Sequence, residues 1–141
     1  MTQRIELPTG TRLTLAELGD LIAGCWSHET CDETDAAKWS KDRASIGQCT
    51  STAYVLNDLL GGKLLGAEVT MPDGLPQGHH YWNLLDSGLE IDLTLDQFQS
   101  GEIVGPPMVL ERIFDVPEPG AERYLELRRR VEAALQAKAS S

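Results

Sequence analysis

The sequence predicts a single α+β domain, residues 1–141, in which helices pack on an antiparallel sheet. Three observations carry that prediction. Apolar residues recur at helical spacing near the start, in the middle and near the end of the chain. Between the second and third of these segments the pattern changes to strand-like alternation. There HHYWNLLDSGLEIDLT, residues 79–94, reads as two strands joined by Asp86-Ser87-Gly88, a turn short enough to impose antiparallel pairing. A length of 141 residues with 41% apolar content suits one domain with one substantial core.

Taken in order, Thr14-Leu15-Ala16-Glu17 has the capping-box pattern, a hydroxyl residue followed three places later by Glu. Leu15, Leu18, Leu21, Ile22 and Cys25 then predict an amphipathic helix over residues 14–26, with Trp26 closing its apolar face. Residues 27–45 are polar around Trp39 and read as a loop with a short helix at 35–40. Ala53, Leu56, Leu59 and Leu60 define a second helix from Cys49 to Leu60, stopped by Gly61-Gly62. Residues 63–71 alternate around Leu65, Ala67 and Val69 and predict a strand, and PDGLPQG at 72–78 predicts a loop. After the hairpin, residues 96–100 begin a short helix and Gly105-Pro106-Pro107 interrupts structure. Residues 108–116 read as a further strand or an extended crossing segment. Tyr124, Leu127, Val131, Ala134 and Leu135 predict a terminal helix over 121–138, with Arg128, Arg129 and Arg130 on its solvated face.

The net charge of −10 argues against nucleic acid and against anionic membranes, which both need a basic footprint. No apolar run approaches the roughly 18 residues needed to span a bilayer. MTQRIELPTG has no apolar stretch behind Arg4 and does not read as a signal peptide, so the expected location is the cytoplasm. Cys25, Cys31 and Cys49 are an odd number in a reducing compartment, which argues against a disulfide framework. CWSHETC brings Cys25, His28 and Cys31 close together, but a zinc site needs a second ligand pair that the chain lacks. No metal and no organic cofactor is expected.

The candidate chemistry lies in three places. Cys49 stands in the first turn of its helix, where the helix dipole favours a thiolate. His80, Trp82 and Leu84 share one face of the first hairpin strand, and Glu90, Asp92 and Thr94 share a face of the second. With Asp86-Ser87-Gly88 as the turn, Leu85 faces Leu89, Trp82 faces Asp92 and His80 faces Thr94. Asp92 is then one diagonal step from His80 on the same face, and a slip of one residue would reverse it. A nucleophilic thiol needs a base to take its proton, and a carboxylate behind the histidine sets its tautomer. Gln48 is the candidate side-chain oxyanion donor beside the helix amides, and Trp82 the candidate that contacts substrate or shields the site from water. His79 points to the opposite strand face and is the weaker candidate base. Trp26 and Trp39 read as packing residues, and Asn83 as a partner of backbone groups.

Gly47-Gln48-Cys49 opening a helix, His80-Tyr81-Trp82 on a strand and Gly88-Leu89-Glu90-Ile91-Asp92-Leu93-Thr94 on the next resemble the Cys–His–Asp core of the transglutaminase-like proteins, a group of the papain-like fold class. A fuller set is similar to the YunG-like family of small bacterial proteins. It comprises Trp26-Ser27, Thr30, Trp39, Gly47-Gln48-Cys49, Thr52-Ala53, Gly61-Gly62, His80-Tyr81-Trp82-Asn83, Asp92-Leu93-Thr94, Gln97-Phe98 and Arg123-Tyr124-Leu125. The first resemblance implies a papain-like core with Cys49 as nucleophile, His80 as base and Asp92 as its orienter. Thr50 departs from the aromatic residue that transglutaminases commonly carry after the cysteine, and no acidic cluster reads as their calcium site.

The reading that follows is thiol-dependent acyl transfer: hydrolysis of an amide, ester or thioester, or transfer of its acyl group to an amine. The acyl donor would be a small molecule or a peptide. The rival is a binding module of the same fold that holds such a ligand without reacting; a toxin or immunity-type partner protein is compatible with the acidic charge but is not singled out by it. Oligomeric state has no signature here.

Overall fold

The computed structural model describes residues 3–98 and 101–140. The chain begins with a ribbon that the sequence pattern does not signal, β1 (Ile5–Glu6) paired with β2 (Arg12–Leu13). Strands of two residues are too short to display alternation. Leu7 N–H bonds to Thr11 O at 2.8 Å and Gly10 N–H to Leu7 O at 2.8 Å, closing the turn between them.

Helix α1 (Leu15–Ala23) starts where the capping box predicts: Glu17 N–H donates to Thr14 Oγ1 at 3.1 Å and Thr14 N–H donates to Glu17 Oε1 at 2.9 Å. It stops at Gly24, earlier than the expected residue 26. Cys25 N–H bonds to Ile22 O and Trp26 N–H to Ala23 O, so the last turn tightens to three-residue spacing and leaves the α-helix. Both side chains still pack against the core. Residues 27–45 contain single 3₁₀ turns at His28–Thr30, Ala36–Lys38 and Lys41–Arg43. Helix α2 (Cys49–Leu60) has the predicted bounds. Gly62 then takes φ +79°, and a Cβ there would lie 2.3 Å from Leu84 O, so the helix-to-strand corner admits only glycine.

The sheet is antiparallel throughout. β3 (Lys63–Thr70) pairs with β4 (Pro76–Leu84) from Lys63↔Leu84 to Val69↔Gly78, then shifts register to Thr70↔Pro76. The loop expected over 72–78 is therefore shorter, because Pro76 already stands in the strand. Proline is tolerated there at the first strand position, where its missing N–H costs nothing to the ladder. β5 (Glu90–Ile91) pairs Ile91 with Asn83 and Glu90 with Leu84, and Leu85 N–H bonds to Leu89 O at 2.8 Å. That is the register the turn predicts. The ladder stops at Ile91, and Asp92–Thr94 leads instead into a 3₁₀ turn at Leu95–Gln97. The short helix expected over 96–100 is reduced to that turn, with residues 99 and 100 outside the described residues. β6 (Ile103–Val104) and β7 (Met108–Leu110) both pair with the other edge of β3, so the segment expected over 108–116 is a three-residue strand followed by extended chain.

Helix α3 (Ala121–Ala139) crosses α2 and completes the core. Leu18 and Ile22 of α1, Val55 and Leu56 of α2, and Tyr124, Leu127, Val131 and Leu135 of α3 are buried together with Leu7 and Leu13. A smaller cluster of Leu65, Ala67 and Trp82 covers the sheet. α2 is seated on β4 by Asn83, whose Nδ2 donates to Ala53 O at 2.9 Å within the protein interior. Arg112 ties the extended chain after β7 to both long helices: it donates to Asp58 Oδ1 at 2.7 Å and to Tyr124 Oη at 3.3 Å and lies over the Tyr54 ring. Among the described residues no helix is long and apolar enough to cross a membrane.

Leu127 is completely buried at the junction of the three helices. Leu127→Ala should destabilise the fold by about 2–5 kcal/mol, the range for emptying a packed leucine site. Urea unfolding measures this directly, and a loss under about 1 kcal/mol would mean that the site collapses around the smaller residue.

Candidate functional site

Gly47 turns the chain into α2. Its φ of +68° suits glycine, and a Cβ would lie 2.6 Å from Cys31 Sγ. Gln48 is the N-cap but provides no side-chain cap. The first backbone N–H groups of α2 therefore keep their donor capacity, and Cys49, Thr50 and Ser51 line a cleft. Cys49 is half-buried there, and its sulfur has a long contact, 4.0 Å, to Thr50 Oγ1. The other two thiols are of a different kind. Burial, followed by the charges of Asp35 and Asp32, pushes Cys31 up to about 11, and burial raises Cys25. In both, burial favours the thiol over the thiolate.

The cleft encloses about 1060 Å³ between α2, the tip of β4, the 32–47 segment and the chain before α3. His79 and Tyr81 line it beside Cys49, and so do Gln97 and Phe98. Burial first, and then the neighbouring Cys49, raise the Tyr81 phenol. His80 is on the other face of β4 and fully buried. Its Nε2 lies 2.6 Å from Asp92 Oδ2, while Asp92 Oδ1 accepts the Thr94 N–H at 3.2 Å. Burial pulls the His80 pKa down, but hydrogen bonding to Asp92 and Cys49, and their charge, outweigh it and hold the value up at about 9. Such a ring is a stronger base than free imidazole. The Trp82 ring stacks on it at 5.3 Å and Phe98 meets it edge-on at 4.9 Å, so water is kept from both faces.

The structure brings His80 and Asp92 into direct contact, with Cys49 near enough to act on the ring; of these three Cys49 alone lines the cleft, and Gln48 and Trp82 lie outside that lining as well. Gln48 is fully buried; its Oε1 accepts from Thr30 Oγ1 at 2.8 Å and its Nε2 donates to Ser27 O at 3.1 Å. It anchors the 27–30 turn beneath α2, and both ends of its amide are occupied there. Trp82 is buried as well, donates from Nε1 to Glu90 Oε1 at 2.8 Å and stacks on His80 outside the cleft lining. The reasoning from strand faces made His79 the weaker candidate, yet it lines the cleft, because α2 sits on the face of β4 that carries His79, Tyr81 and Asn83. It also missed Gln97, which bonds to Gly47 and lies against His80. The signal available was its place in Gln97-Phe98, directly after the aspartate strand. Among the described residues no group of three or more His, Cys, Asp or Glu is arranged to hold a metal ion.

The model of a protein family described as YunG protein matches residues 14–136, which includes every residue of this site. A curated protein of Bacillus subtilis (strain 168), named "Uncharacterized protein YunG", is similar to the chain, with 29% identity over 80 residues. The match covers 57% of this chain and 59% of that protein, so the chain spans about three-fifths of the curated relative's length. No solved structure matches the chain.

A folded-state pKa of about 9 against an ordinary 6.5 means that the native state binds a proton more tightly than the unfolded chain does. The stability due to His80 is complete below pH 6.5 and is lost as pH rises through about 9. Urea midpoints should fall across that window, and Asp92→Asn should flatten the fall. Equal slopes for the parent and the variant would assign the pH dependence to another group.

Proposed function

The chain belongs to the YunG family, and from the geometry of its site we propose that it is a cysteine-dependent acyl-transfer enzyme. The observation that carries the proposal is the 2.6 Å bond from His80 to Asp92, beside a cleft that Cys49 lines at the start of α2. The order of a cysteine at a helix start, a histidine on the hairpin and an aspartate just past its second strand is that of a transglutaminase-like, papain-like core. The proposal extends that likeness to fold and chemistry.

In this reading Cys49 gives its proton to His80 Nδ1 and the sulfur attacks the carbonyl carbon of an amide, ester or thioester. The carbonyl oxygen takes up the negative charge and rests against the open N–H groups of the first turn of α2. Asp92 holds the Nε2–H and steadies the imidazolium. His80 returns the proton to the leaving amine, alcohol or thiol as the carbonyl bond to it breaks, leaving an acyl group on Cys49. Water or an amine attacks that thioester, its proton passes to His80, and the thiol is restored. The size of the cleft suits a small molecule or a peptide segment as donor.

Iodoacetamide labelling across pH, read by intact mass, tests the proposal. Cys49 should label faster than Cys25 and Cys31. His80→Ala should slow it by about 10²-fold or more, the lower end of what a positioned base supplies. Incubation with a panel of amide and ester donors should leave an acyl adduct on Cys49 that Cys49→Ala abolishes. Three slow and equivalent thiols, with no adduct, would favour a binding module over an enzyme.

A further inference from the structure

Gln97 stands where the cysteine loop, the histidine strand and the aspartate turn meet. It is 8% exposed. Its Oε1 accepts the Gly47 N–H at 3.3 Å, and Gly47 is the residue that turns the chain into α2. Its Nε2 donates to Thr94 Oγ1 at 3.3 Å and lies 3.4 Å from His80 Nδ1. A carboxamide has two chemically different ends, and here the backbone decides between them. A peptide N–H can only donate, so the atom facing Gly47 must be the oxygen. The amino group is then directed at the imidazole.

An N–H aimed at a ring nitrogen is welcomed by a lone pair and repelled by a second N–H. On the opposite side of the same ring, Nε2 lies 2.6 Å from Asp92 Oδ2, an acceptor. The ring is thus offered a donor at Nδ1 and an acceptor at Nε2. We propose that Gln97 is a positioning residue that holds neutral His80 in the tautomer protonated at Nε2, so that Nδ1 is the unprotonated nitrogen, the one able to take the Cys49 proton. The inference rests on the reading of Cys49 as the nucleophile, because only then does a bare Nδ1 have a task. The charged and titratable groups facing the ring are Asp92 and Cys49, and Gln97 is the neutral group between Nδ1 and the loop that carries Cys49. The same carboxamide couples Gly47 to Thr94, so the cysteine loop and the aspartate turn keep a fixed spacing.

The tautomer is readable without relying on the sulfur. In a Cys49→Ala chain labelled with ¹⁵N, imidazole nitrogen–proton correlation spectra above the His80 titration should show the proton on Nε2 and none on Nδ1. Gln97→Glu keeps the shape but turns an acceptor toward Nδ1. It should leave both ring nitrogens protonated at a pH where the parent ring is neutral. Gln97→Ala, which removes the donor, should let the Nδ1–H tautomer appear. In the chain with Cys49 intact, Gln97→Ala should slow iodoacetamide labelling about five-fold, the scale of one neutral hydrogen bond. A neutral ring already protonated at Nδ1, or spectra unchanged in both variants, would overturn the assignment. If instead the tautomer shifts as described while Cys49 of the parent labels no faster than Cys25, the acyl-transfer reading fails and the role of Gln97 in setting the ring stands.

Discussion

The hydrogen bond between His80 and Asp92 ties the middle of the central strand to the point where the chain leaves the sheet. His80 is enclosed by Trp82 and Phe98, and in that enclosure an imidazole needs a partner for each nitrogen. Asp92 satisfies one, and the groups around Cys49 satisfy the other. The ladder ends at Ile91, and directly beyond it Asp92 turns one carboxylate oxygen to the ring while Oδ1 accepts from Thr94 N–H.

The rest of the architecture serves to hold α2 against that strand. Asn83, three residues along β4 from His80, donates to Ala53 in the body of α2 and so sets the height of the helix on the strand. Gly62 allows the turn from α2 into β3 with almost no intervening chain. Gln48, fully buried under the helix start, bonds to the 27–30 turn and fixes the depth of that end. Cys49 is therefore positioned by contacts on three sides of its helix, none of which involves the sulfur. The thiol is left half-buried where the first turn of α2 lines the cleft.

Much of this was legible in the residues. The bounds of α2, the α1 cap and the hairpin register each have a local cause, namely a glycine pair, a reciprocal Thr–Glu cap and a short Asp-Ser-Gly turn. The register also put Asp92 one diagonal step from His80 on the same face, and the two do meet, although the ladder ends at Ile91. What was not legible depends on distant partners. β1, β2, β6 and β7 are too short to carry a period and exist because β3 and the N-terminal turn offer them edges. Gln48 looked like an oxyanion donor because its sequence position suits one, and only the docked 27–30 turn shows its amide to be occupied. Gln97 could not be assigned at all, because its three partners, Gly47, His80 and Thr94, come together only in the folded chain.

Helix α3 is the last of the described elements in chain order, yet it supplies Tyr124, Leu127, Val131 and Leu135 to the main core, and its Leu135 carbonyl receives the hydroxyl of Thr11 near the opposite end. During synthesis, α1 and α2 emerge from the ribosome with their apolar faces bare and must wait for this helix. The faces of α1 and α2 that pack on this helix stay bare until residue 135 has left the ribosome, whereas the face of α2 toward β3 and β4 can be covered sooner.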